Sequence, residues 1–194
     1  MKRESLESYR KKRDFAITSE PPGKIEHPEE QIPGEQIFVV QKHAARNLHY
    51  DLRLEVGGIL RSWAVPKGPS LNPKHKRLAI ATEDHPLEYA RFEGTIPKGQ
   101  YGAGTVIVWD IGIYRNMTMK DGQVIDIDQA LNNGHASIWL EGKKLKGGYA
   151  ITRTGRGWIL VKMRDENADE TKDILKTDPR SALSGRTIEE LAEN

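Results

Sequence analysis

Histidine, aspartate and arginine recur at every second position in the run His49-Tyr50-Asp51-Leu52-Arg53-Leu54-Glu55-Val56. In a strand, side chains alternate between faces. One face then carries His49, Asp51, Arg53 and Glu55, and the other carries Tyr50, Leu52, Leu54 and Val56. The second is an ordinary core face. The first lines up a neutral ligand, an anionic ligand and a permanent cation. His49 and Asp51 are separated by ~6.5 Å of strand, close enough for their side chains to converge on one ion. His43, six residues before His49, is expected to enter from a preceding loop as a third ligand. Two imidazoles and a carboxylate suit a divalent transition metal, with Mn, Fe, Co, Ni and Zn all compatible. Positions left open on the ion point to catalysis rather than to a structural site. Arg53, next on the same face, is expected to hold a phosphate oxygen bidentately. The competing reading is the solvated side of an edge strand, with His49 and Asp51 merely paired.

Other residues offer chemistry more weakly. His85 stands beside Pro86 in a loop-like stretch, where it could bind a phosphate or pass a proton. Lys67, between Pro66 and Gly68, and Arg77, in a basic cluster, could each neutralise phosphate charge or be plain surface. The glycine-rich stretch from Gly94 to Gly104 does not have the spacing of a phosphate loop and reads as a tight loop leading into a strand. Trp63, Trp109, Trp139 and Trp158 all fall in strand patterns and read as core.

The elements that must position these residues are mostly short strands. Ile37-Phe38-Val39-Val40 is a β-rich run, and Gly57-Gly58 signals a hairpin between residues 49–56 and 59–65. Further strands are expected at 78–82, 105–114, 136–140, 149–153 and 158–163, punctuated by glycine and proline. Helices are expected at 4–13, at 125–132 and after Thr187, where Thr187 and Glu190 have capping-box spacing. Residues 26–34 read as a loop. Many short strands with turn signals between them predict an all-β barrel or sandwich. The barrel domain is expected over 1–163, followed by a charged tail over 164–194 whose stretch 165–173 reads as mobile.

The chain has 194 residues, 37% hydrophobic and 30% charged, with a net charge of +2. That length suits one domain with a proper core. No apolar run approaches the ~18 residues of a membrane span. The opening residues carry no apolar stretch, so no secretory signal is expected. Cysteine is absent, which excludes disulfides and thiolate metal sites and fits a cytoplasmic protein. Basic residues gather at 10–13, 74–77 and 143–146, and acids at 26–35 and 165–173. Each basic cluster is either a solvated face or a contact for a phosphate backbone.

Several blocks, in order, resemble the 3′-phosphoesterase domain of bacterial-type DNA ligase D. They are Tyr9-Arg10-Lys11-Lys12-Arg13-Asp14-Phe15, Thr18-Ser19-Glu20-Pro21, Phe38-Val39-Val40-Gln41-Lys42-His43, Leu48-His49-Tyr50-Asp51-Leu52-Arg53-Leu54, Ser62-Trp63-Ala64-Val65-Pro66-Lys67-Gly68-Pro69, Glu83-Asp84-His85-Pro86-Leu87-Glu88-Tyr89, and the stretch from Phe92 to Gly104. The resemblance runs from about residue 6 to 163. It implies an eight-stranded β-barrel flanked by short helices. It implies manganese-dependent removal of a 3′-terminal ribonucleoside, then of the 3′-phosphate left behind, giving a 3′-hydroxyl for end-joining repair. Carried over by position, it implies metal ligands His43, His49 and Asp51, phosphate contacts from Arg53 and His85, and a pocket completed by Lys67, Arg77, Gln41 and Tyr89. Arg13, Asp14 and Glu20 would place the primer terminus. The implied partners are DNA or DNA/RNA primer-template 3′ ends, with a DNA ligase and a polymerase acting alongside. The sequence reaches Asn194 without the blocks of a ligase or polymerase module, as expected of either a free-standing form or a piece cut from a longer chain. The rival classes are a non-catalytic end-binding adaptor barrel and a metal-dependent barrel oxygenase.

Overall fold

The computed structural model describes residues 6–23 and 36–193. The loop expected at 26–34 and the first residues of the expected N-terminal helix lie outside this set. β1 (Gln36–Ala44), β2 (Leu48–Val56), β3 (Ile59–Val65) and β4 (Arg77–Ala81) form an antiparallel run. β5 (His85–Pro86) pairs with the start of β3, and a 3-10 turn (Leu87–Arg91) follows it. β6 (Gly94–Ile96) pairs with β7 (Gly104–Asn116), and β8 (Met119–Lys120) pairs with β9 (Gln123–Val124). β10 (His135–Gly142), β11 (Lys146–Thr154) and β12 (Gly157–Lys162) continue the sheet back to β4. β7 joins β10 on one side and β1 on the other, which closes an eight-stranded antiparallel barrel in the order β1-β2-β3-β4-β12-β11-β10-β7. Closure removes the unpaired edges that an open sheet would leave.

The alternation seen in the sequence sorts residues to the two faces of the wall. Phe38, Val40, Tyr50, Leu52, Leu54, Trp63 and Trp109 belong to the main core. Val39, Leu60, Val106 and Val108, pointing the other way, join Tyr9, Tyr89 and Phe92 in a second apolar cluster. That cluster fastens the N-terminal helix (Glu7–Lys11) and the 87–91 turn against the barrel wall. The Tyr9 hydroxyl donates to the Pro21 carbonyl at 2.7 Å, tying the helix to the segment that follows it. β2 therefore has cover on both faces and a strand on each side. The edge-strand reading of its polar face does not hold.

The β2–β3 hairpin turns at Gly57 and Gly58, both with positive φ (62° and 84°), the backbone of the tight turn that Gly-Gly signals. The helix expected at 125–132 runs Ile127–Asn132, with Asp126 accepting from the backbone N–H groups of Asp128 and Gln129. The Thr187–Glu190 capping box is present and opens the helix Ile188–Ala192.

Residues 164–193 are bound to the barrel. Asp165 accepts from the buried Lys162 ammonium and from the Gly148 N–H. Ile174 is part of the main core, and Leu175 packs against it. Trp109 Nε1 donates to the Asp178 carbonyl at 2.7 Å. The 165–173 stretch reads as mobile from its charge, but Asp165 is bound to the barrel, Asp169 caps a local turn and Glu170 pairs with Lys74. Trp63, Trp109 and Trp158 are buried, as their strand patterns predict, while Trp139 is half-buried.

Candidate metal centre and phosphate cleft

β1 extends through Gln41, Lys42 and His43 to Ala44. His43 is thus a strand residue, and its cross-strand partner in the register is His49. This corrects the expectation that it enters from a loop. Polar residues disguised the end of the strand, yet the alternation persists: Phe38, Val40 and Lys42 share one face, and Val39, Gln41 and His43 the other. Residues directly opposite on one face lie within reach of each other. The two imidazole centroids are 4.8 Å apart. Asp51, two residues beyond His49, approaches both rings: its oxygens lie 3.8 Å from His43 Nδ1 and 3.6 Å from His49 Nε2. The three candidate ligand atoms all lie within 4.8 Å of one another.

The second nitrogen of each ring is committed elsewhere. His43 Nε2 lies 2.9 Å from the Gly102 carbonyl, and His49 Nδ1 lies 2.9 Å from the Asn47 carbonyl. A carbonyl only accepts, so a neutral ring that places its proton there would present a lone pair on the side of Asp51, as a metal ligand must. That arrangement of outer hydrogen bonds is how proteins orient metal-binding imidazoles. The donor set and its tautomers therefore fit a divalent cation.

Arg53 continues the same face and is almost fully buried. Its Nε donates to Gln41 Oε1 at 2.7 Å. Its Nη1 faces Ser62 Oγ at 2.9 Å and His85 Nδ1 at 2.8 Å, and its Nη2 donates to Asp51 Oδ2 at 3.1 Å. A guanidinium has five N–H groups. Four are engaged within the protein, which leaves one N–H on Nη2. In this arrangement one N–H on a fixed guanidinium plane remains for a further acceptor. Burial alone would raise the Asp51 carboxyl. The Arg53 guanidinium, with help from both histidines, outweighs it and holds Asp51 below the ordinary carboxylate range.

His85 is buried in β5 rather than exposed on a loop. Burial, then the Arg53 and Arg13 charges, hold it well below the ordinary histidine range, so the ring is neutral at neutral pH. Its Nδ1 also lies 2.9 Å from the Glu83 carbonyl. One nitrogen cannot donate to that carbonyl and accept from Arg53 at once. Arg53 is permanently charged and can only donate, which favours a lone pair on Nδ1 and the proton on Nε2. Rings of Tyr9 and Tyr89 pack edge-on against it at 5.1 and 4.7 Å.

Arg13 arrives from the N-terminal segment. It bonds Glu20 at 2.9 Å and Glu83 at 2.6 Å and lies 3.8 Å over the Tyr9 ring. Lys12 bonds the other Glu83 oxygen at 2.7 Å. Glu83, bound to two cations from a distant part of the chain, is a site residue that sequence reasoning missed. Its only signal was its place two residues before His85. Glu20 also accepts from the Tyr89 hydroxyl at 3.1 Å.

His43, His49, Asp51, Arg53, His85, Arg13, Glu83 and Tyr89 line one cleft of about 300 Å³. Other expected residues stand apart. Gln41 is wholly buried behind the cleft, donating to the Tyr89 and Phe92 carbonyls while it holds Arg53. Glu20 lies behind Arg13. Asp14 is exposed and accepts from the Ala16 N–H in a local turn. Lys67 is exposed on the turn after β3, and Arg77 opens β4. Neither lines the cleft.

Residues 41–153 match the family described as the DNA Ligase D 3′-phosphoesterase domain. A multifunctional non-homologous end joining protein LigD from Pseudomonas aeruginosa is 48% identical over 190 residues, 94% of this chain and 22% of the relative. The protein of that name from Mycolicibacterium smegmatis is 41% identical over 175 residues, 88% of this chain and 22% of the relative. A multifunctional non-homologous end joining DNA repair protein LigD from Mycobacterium tuberculosis is 40% identical over 181 residues, 93% of this chain and 22% of the relative. The chain thus spans about a fifth of the length of these relatives. The family match falls on the strands that carry His43, His49, Asp51, Arg53 and His85, and the chain belongs to the DNA ligase D 3′-phosphoesterase domain family.

Proposed function

We propose that this chain is a manganese-dependent phosphoesterase that heals 3′ ends of nucleic acid. It removes a 3′-terminal ribonucleoside from a primer-template and then the remaining 3′-phosphate, leaving a 3′-hydroxyl for end-joining repair. The observation that carries this reading is the convergence of His43, His49 and Asp51 beside the buried Arg53 in one cleft. An adaptor that only grips a nucleic-acid end has no use for such a donor set. A small organic substrate would have little use for the cations gathered there.

His43, His49 and Asp51 would hold the ion, which supplies Lewis acidity to a phosphoryl oxygen and a more acidic bound water. The remaining N–H of Arg53 holds a non-bridging oxygen and stabilises charge that develops on it. Its four protein contacts fix that N–H before substrate arrives, so little reorganisation is needed during the reaction. His85, neutral with its proton on Nε2, donates a hydrogen bond to a phosphate oxygen and so stabilises the charge that develops there. Arg13, held by Glu20 and Glu83, steadies the terminal nucleotide. Gln41 and Ser62 are positioning residues that act through Arg53. The healed end then passes to a DNA ligase, with a polymerase as the other partner in the repair.

The test is a labelled primer-template ending in one 3′ ribonucleotide, incubated with manganese, magnesium, zinc or chelator. Expected is manganese-dependent loss of the ribonucleoside followed by loss of the 3′-phosphate. Retained duplex binding without cleavage in any metal would move the assignment to an adaptor.

A further inference from the structure

Apart from the Gly102 carbonyl that meets His43, the glycine-rich stretch before β7 has no role in the site as described, yet it also contributes Tyr101 to the cleft. Two successive tight turns fix it: Gln100 N–H donates to the Pro97 carbonyl at 3.2 Å, and Ala103 N–H to the Gln100 carbonyl at 3.1 Å. The Gly102 carbonyl is also the outer partner of His43. Tyr101 is therefore held one residue away from a direct bond to a candidate metal ligand. Its ring sits 4.6 Å from the Lys12 ammonium and 5.5 Å from the Arg13 guanidinium. Despite these contacts it is 50% exposed, whereas Tyr9 and Tyr89, the other tyrosines near the cleft, are buried in the second apolar cluster.

We propose that Tyr101 is a stacking platform for the nucleoside at the 3′ end, and that it sets the preference for a nucleoside-bearing phosphodiester over a bare 3′-phosphate. This rests on the phosphoesterase reading above. A rigid, half-exposed aromatic ring beside a phosphate site has one natural use, because every base offers a π-face. A terminal phosphate has none, so Tyr101 acts on one substrate and not on the other. Lys12 and Arg13 brace the ring and keep its plane fixed at the mouth of the cleft.

The experiment measures kcat/KM for two primer-templates that differ only at the end, one carrying a 3′-terminal ribonucleoside and one a 3′-phosphate. Tyr101→Ala is expected to lower the ratio of the first to the second by about tenfold or more. Tyr101→Phe, which keeps the ring, is expected to hold the ratio within about twofold. A primer with 2-aminopurine at its 3′ terminus, bound in chelator, gives an independent reading: its fluorescence is quenched on the parent protein and on Tyr101→Phe, and not on Tyr101→Ala. An unchanged ratio, or equal quenching with Tyr101→Ala, overturns the platform. If the parent protein cleaves neither substrate, the phosphoesterase reading fails first, and the quenching result alone decides whether Tyr101 stacks.

Discussion

At the scale of single residues, Arg53 organises the site more than any ligand does. It bonds Asp51, which would hold metal, His85, which would touch phosphate, and Gln41 and Ser62, which touch neither. Lysine brings one compact ammonium in place of a planar fork. Arg53→Lys is therefore expected to cut cleavage by about 100-fold or more, with circular dichroism confirming that the fold survives. The same web changes how Asp51 should be tested. Asp51→Ala would strip a carboxylate from a buried guanidinium, at a cost of about 3–5 kcal/mol, so lost activity would be confounded with lost stability. Asp51→Asn keeps the shape and a hydrogen-bond acceptor. It is expected to abolish manganese binding by calorimetry with a much smaller loss in chemical denaturation.

His85 gives a stability signature with a definite sign. Its folded value lies below its unfolded value, so below about pH 6.5 the unfolded chain takes up a proton that the folded chain refuses. This contribution is fully present above that pH and is lost as pH falls toward the folded value, by at most about 1.4 kcal/mol per pH unit for one proton. Replacing His85 with glutamine should flatten that part of the profile, read by urea unfolding between pH 7.5 and 5.

At the scale of elements, the β1–β2 hairpin is the device that makes the centre. Its register sets His43 opposite His49 and brings Asp51 in two residues later. The β1–β7 pairing secures the same end, and Gly104 makes it possible. Its φ is +139°, and a Cβ there would lie 2.2 Å from the Ala44 carbonyl oxygen. Gly104→Ala should push β7 away from β1 beside His43, weakening manganese binding and lowering the melting temperature together. The C-terminal segment is an element of the barrel in the same sense. Ile174 is 3% exposed and belongs to the main core. Ile174→Ala is expected to cost about 2–5 kcal/mol in denaturant unfolding, a loss no loose tail would produce.

At the scale of the whole molecule, the closed barrel brings the three candidate ligands within 4.8 Å of one another. Their carbonyl partners and Arg53 hold them in place through contacts that do not depend on metal. Chelator should therefore stop turnover while leaving the far-ultraviolet spectrum intact, and manganese should raise the melting temperature by mass action. Unfolding on chelation would mean that the ion holds the fold. Among the described residues, no helix is long and apolar enough to cross a membrane.

The sequence by itself determined the longer strands and the division of faces in residues 49–56, because alternation is a local property of the chain, while β5, β6, β8, β9 and the polar end of β1 carried no such signal. Blocks such as Leu48-His49-Tyr50-Asp51-Leu52-Arg53-Leu54 also carried the family and the candidate ligands. Only the tertiary structure decided what those residues meet. The cross-strand register turned His43 from a loop residue into the partner of His49. The folding of residues 6–23 over the barrel brought Arg13 onto Glu83, 70 positions away in the chain. Burial did the rest. Covering the polar face of β2 from both sides bound Arg53 to four protein groups, neutralised His85 and left Lys67 and Arg77 outside the cleft. Periodicity reports which way a side chain points. The partners and the dielectric it finds there depend on segments distant in sequence, and those come together only when the barrel closes.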